Sequence, residues 1–126
     1  MPLYKDMTPA QQNATDVYFR TSINLLLKTG MALNNARFNP GTSDDDAASL
    51  DAEYADLQDS LTLLEKQQTA VYAATQSISA PPQASIDNIK TLSDKVDQLN
   101  QSQAVADAYL TAAGQVLAAA QTVVPG

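Results

Sequence analysis

Ten positions between Ala47 and Ile78 advance in strictly alternating steps of three and four: Ala47, Leu50, Tyr54, Leu57, Leu61, Leu64, Gln68, Val71, Thr75 and Ile78. Eight of the ten are apolar. This spacing returns side chains to one side of an α-helix turn after turn, whereas a half-buried strand would alternate with period two. A second run fits the same template at ten of eleven positions: Ile89, Leu92, Val96, Leu99, Gln103, Ala106, Leu110, Ala113, Leu117, Ala120 and Val124. A third, less regular, offers Phe19, Ile23, Leu26, Gly30 and Leu33, widened by Val17, Leu25, Leu27 and Met31 into a broader apolar face.

Local signals divide these runs. Thr8, Pro9 and Gln11 read as an N-cap, a proline in the first turn and a capping-box partner, so a helix starts there. FNPGTS at 38–43 and SAPPQAS at 79–85 join turn residues to Ser or Thr caps. The pattern predicts helices over approximately 9–36, 44–78 and 84–123, the second roughly 50 Å long at about 1.5 Å per residue. Short connections make sequential helices antiparallel neighbours, and narrow stripes suit near-parallel packing. The expected fold is a single all-α domain spanning 1–126, an up-down-up three-helix bundle. Asn100, Gln101, Ser102 and Gln103 dilute the third stripe, and a break there would give a four-helix bundle instead.

Composition supports helix and closes off several chemistries. There are 21 alanines, no tryptophan and seven aromatic residues, so a core of Ala and Leu lets helices approach closely but would fill a sheet sandwich poorly. No histidine and no cysteine occur, which removes the usual general base near neutral pH, thiolate nucleophiles and the commonest transition-metal ligands. The net charge of -7 opposes nucleic acid and anionic membrane surfaces. No apolar run is long enough for a secretory leader or a bilayer span. The expected location is the cytoplasm, with export by an unconventional route, or processing from an exported precursor, as the alternative.

The acidic stretch SDDD at 43–46 has a local explanation. Ser43 stands where an N-cap belongs, and Asp44, Asp45 and Asp46 occupy the first turn, where the helix dipole favours negative charge. A calcium loop would need alternating oxygen ligands, a glycine and a distal glutamate. By segment the charge is +2 over 1–40, -7 over 41–80 and -2 over 81–126. A tight turn near Pro40 would place Arg37 opposite Asp44, Lys28 opposite Glu53 and Arg20 opposite Asp59, a set of ion pairs that would select register.

Candidate sites are few. Gln68, Thr75 and Gln103 fall at seam positions, where long amides reach water or fix register. Tyr54, Tyr72 and Tyr109 suit ring packing with the hydroxyl in solvent. The pairs Asp56 with Asp59 and Asp94 with Asp97 share helix faces, but spacing alone perturbs neither acid. In a three-helix arrangement the third helix outruns its neighbours, so Val116, Leu117, Val123 and Val124 would either fold over the Phe38 loop or form an exposed contact for a partner. No phosphate loop, nucleophile elbow or metalloprotease motif occurs. The expectation is a non-catalytic protein without cofactors that binds another protein or itself, a homodimer included. A carrier holding a small apolar ligand or lipid between helices is the alternative.

Overall fold

The structure, a computed structural model, describes residues 3–75, 77–102 and 105–121. Among them are four α-helices and no strand: α1 (Pro9–Ala36), α2 (Asp44–Tyr72), α3 (Gln83–Ser102) and α4 (Ala106–Gln121), preceded by a 3₁₀ turn at Tyr4–Asp6. The all-helical expectation holds. The three-helix expectation does not, because the predicted third helix divides near its polar stretch.

α1 begins as expected. The Thr8 hydroxyl accepts from Gln11 N at 3.2 Å while the Gln11 side chain accepts from Thr8 N at 2.9 Å. It ends at a type II turn in which Thr42 N donates to Asn39 O at 3.2 Å, with Pro40 fixing one central φ and Gly41 supplying the other at +87°. α2 then starts at Ser43, whose hydroxyl accepts from Asp46 N at 3.1 Å, and the three aspartates fill its first turn. The acidic stretch is a helix start.

α2 stops at Tyr72 rather than at Ile78. Ala74 N donates to Val71 O and Thr75 N to Ala70 O, each at 3.0 Å, and Ala74 adopts φ 58° between them. These two bonds form a Schellman cap, which closes the helix and turns the chain across its end. Ile78 and Pro81 are buried on this crossing. Thr75, expected on the seam, lies exposed beyond the helix, and Gln103 lies outside the described residues.

The contacts order the helices. Arg37 meets Asp51 at one end of α1 and Asp16 meets Tyr72 at the other, so α2 runs antiparallel to α1. Lys28 reaches Ser93 and Asp97, and Tyr18 reaches the carbonyls of Ala119 and Ala120, so α3 runs with α1 and α4 against it. α1 packs against all three other helices, α4 packs against α2 and α3, and α2 and α3 lie diagonally. The expected pairing of α2 with α3 is therefore replaced by two antiparallel hairpins lying side by side. Folding back after α3 brings Tyr109, Ala112, Ala113, Val116 and Ala119 into the core, where they are at most 8% exposed. A straight third helix would have left several of them without cover. Ala-rich α4 crosses the middle of the molecule because small side chains allow it to reach both α1 and α2.

The expected ion pairs are corrected at the same time. Arg37 pairs with Asp51 at 3.2 Å, not Asp44, and Lys28 pairs with Asp97 of α3 at 3.1 Å, not Glu53. Arg20 makes no ion pair with Asp59 among the described residues. Facing positions in the first hairpin sum to about 88, as in Arg37 with Asp51 and Asp16 with Tyr72, because residues 37–43 carry the chain past the end of α1 before it reverses, so that α2 begins above that end.

Candidate functional site

α1 carries two seams. The inner one buries Phe19, Leu26, Gly30 and Leu33, with Ile23 half-buried. Lys28, Thr21 and Leu25 turn toward α3, and Gly30 turns toward α2, where a Cβ would stand 3.3 Å from Tyr54 Cε2. What remains faces water: Arg20, Asn24, Leu27, Met31, Asn34 and Phe38 are all exposed and advance in steps of four and three. This outer stripe is therefore a second heptad-like seam, carried by α1 as far as Asn34 and continued by Phe38 in the turn that follows the helix.

Three of its six side chains are large and apolar. Leu27 is 44% exposed, Met31 67% and Phe38 75%, each with a large apolar side chain in line along about three turns. Tyr54, 38% exposed, borders them from α2 across Gly30. Between Arg20 and Arg37 the single charged residue of α1 is Lys28, which is held by Asp97 and by the Ser93 hydroxyl at 2.7 Å. Arg37, 5.7 Å from the Phe38 ring centroid, is itself paired with Asp51. By contrast, α2 exposes Asp44, Asp45, Asp51, Asp56, Asp59 and Glu65. Sequence reasoning placed Leu27 and Met31 on a broadened inner face. The steps of four and three through Asn24, Asn34 and Phe38 were the signal that could have separated the two seams.

Of the residues expected to form a contact tip, the two that are described lie elsewhere. Val116 is 1% exposed in the core and Leu117 is half-buried against it, while Val123 and Val124 lie outside the described residues. Because α4 runs back from the turn after α3, Val116 lies beside α1 and α2 and presents no surface at the Phe38 end.

Two other clusters have definable chemistry. Asp16 accepts the Tyr4 hydroxyl at 2.9 Å and the Tyr72 hydroxyl at 2.5 Å, and the two rings meet edge to face with centroids 4.8 Å apart. Burial, then the hydrogen bond and charge of Asp16, push both phenols up from their ordinary value, so they act as donors and not as bases near neutral pH. Glu53 is raised by burial and by Asp56. Between α3 and α4 runs an open trough of about 680 Å³, its walls made by Ala84, Ser85, Ala118 and Ala119, with Lys95 donating to Gln115 at 3.0 Å beside it. It lies on the surface and not within the core.

Among the described residues no three acidic side chains converge as a metal site, and no helix is long and apolar enough to cross a membrane. No protein-family model, no curated protein and no solved structure matches this chain.

Proposed function

We propose that this protein is non-catalytic and acts by presenting the outer stripe of α1 to another polypeptide, on a scaffold of two helical hairpins assembled as a bundle. The single observation that carries this reading is the line of Leu27 and Met31 on α1 and Phe38 just past its end, exposed together, with the nearby Lys28 and Arg37 each paired internally. Isolated exposed apolar residues are ordinary; three in register, bordered by Tyr54, make a strip that covers well and hydrates poorly. The recognition mode is helix against helix, read through positions spaced by three and four.

A photoreactive residue at position 31, compared with one at position 59 on the acidic side of α2, tests this in the source cell. Crosslinks to polypeptide should form at 31, should be lost when Leu27→Lys is added, and should be few at 59. Equal yields at both positions would remove the basis for the proposal.

A further inference from the structure

The outer seam is nearly its own complement. Under a two-fold axis passing between residues 32 and 33, positions whose numbers sum to 65 face each other in an antiparallel helix pair. Met31 then meets Asn34 of a second copy, and Phe38, held in the turn after α1 by its amide bond to Asn35 O at 3.1 Å, falls at the height of Leu27, giving four layers from four residues. Asn24 lies just outside them, facing the turn. No charged residue falls within these layers, so two molecules of net charge -7 can approach here with less repulsion than on their acidic α2 faces.

The ends of the seam carry opposite charges at matching heights. Arg20 is exposed and lies 12.5 residues from the axis, about 19 Å at 1.5 Å per residue. Asp51 is level with Arg37, so Asp44, seven residues further toward the α2 start, stands roughly 17 Å from the axis on the opposite side, again at 1.5 Å per residue. In the second copy this order is inverted. Arg20 of each molecule therefore arrives at the first turn of α2 in the other, where Asp44 and Asp45 are exposed.

We infer, resting on the reading of the outer stripe given above, that its partner is a second copy of this chain, joined by an antiparallel α1–α1 contact with two symmetric Arg20 to Asp44 and Asp45 pairings. A strip of residues 20–38 is about 27 Å long and about 10 Å wide, roughly 300 Å² per copy, small beside a standard interface. The dimer is consequently weak, reversible and weakened by salt.

Sedimentation of the purified full chain from about 10 µM to about 1 mM, a range spanning weak affinities, should show a monomer–dimer equilibrium. Met31→Lys should abolish it. Arg20→Glu, and separately Asp44→Lys with Asp45→Lys, should each weaken association about five- to tenfold, and the three changes together should restore it; helical circular dichroism confirms that every variant folds. Because the chain has no cysteine, mixing Leu27→Cys with Phe38→Cys should give a crosslinked heterodimer in higher yield than either variant alone, whereas a parallel pair would favour each variant with itself. A chain monomeric at the highest concentration, a dimer indifferent to Met31→Lys, or failure of the charge exchange to rescue would overturn the inference. If the chain is monomeric while position 31 still crosslinks a different protein in cells, the docking function stands and only the identity of the partner falls.

Discussion

Ala74 holds a conformation that glycine adopts more readily. It is the one non-glycine residue with positive φ among those described, at 58°, in the position of a Schellman cap where a Cβ crowds the backbone. Ala74→Gly should therefore raise stability by about 0.5 to 1 kcal/mol, the relief of strain exceeding the extra freedom glycine gives the unfolded chain. A higher urea midpoint at unchanged slope is the expected result; a lower midpoint would mean that the alanine is comfortable. The same residue explains why α2 reads too long in the sequence. A cap without glycine or a nearby proline leaves no local mark, and Thr75 and Ile78 continue the spacing past the real end. Ser22 offers a second residue-scale test. It is 2% exposed, and its hydroxyl makes no close hydrogen bond but stands near enough to the Tyr18 phenol to counter part of the rise that burial gives that group. Ser22→Ala should change stability by less than about 1 kcal/mol in the same titration, since losing the weak contact with the Tyr18 hydroxyl is offset by removing a desolvated hydroxyl.

At the scale of elements, what could be read from sequence was what local chemistry decides. The start of α1 follows from Thr8, Pro9 and Gln11, and the start of α2 from Ser43, because caps are satisfied within one turn. The break between α3 and α4 was visible only as polar dilution. The steps through Leu99, Gln103, Ala106 and Leu110 stay in phase across the reversal, so a periodicity count cannot tell one helix from two. Register failed for a related reason: the loop at 37–43 carries the chain past the end of α1 before it reverses, a displacement that charge complementarity alone does not reveal. The packing of α4 makes its own prediction. Ala113 is fully buried on a helix that reaches both α1 and α2, whereas Ala118 is exposed beside the α3–α4 trough. Ala113→Leu should destabilise by about 1 to 3 kcal/mol through overpacking, while Ala118→Leu should stay within about 0.5 kcal/mol of the parent by thermal or urea unfolding.

For the whole molecule, the end opposite the Phe38 loop joins segments that are distant in sequence. Tyr4, Asp16, Phe19 and Tyr72 come together from the amino-terminal turn, α1 and α2, with the Gln12 side chain also donating to Tyr4 O at 3.0 Å. Nothing in the spacing of those residues announces the cluster, since only the antiparallel register of α1 and α2 creates it. Its titration gives a test of that register. Burial and Asp16 raise the Tyr4 and Tyr72 phenols in the folded state above their ordinary value of 10.0, so folding favours the protonated form. The stability this supplies is fully present below pH 10 and is lost as the pH climbs past the unfolded value. Thermal midpoints should thus be insensitive to these groups between pH 7 and about 9 and fall above about 10, a range set by the ordinary phenol value. Buried Tyr18 and Tyr109 are raised too, chiefly by burial, and retain part of the alkaline slope. The variant combining Tyr4→Phe with Tyr72→Phe should therefore melt lower than the parent at pH 8 and converge toward it by about pH 11, as the parent loses what the variant never had. Parallel melting curves across that range would place the two phenols away from Asp16 and so displace α2 along α1.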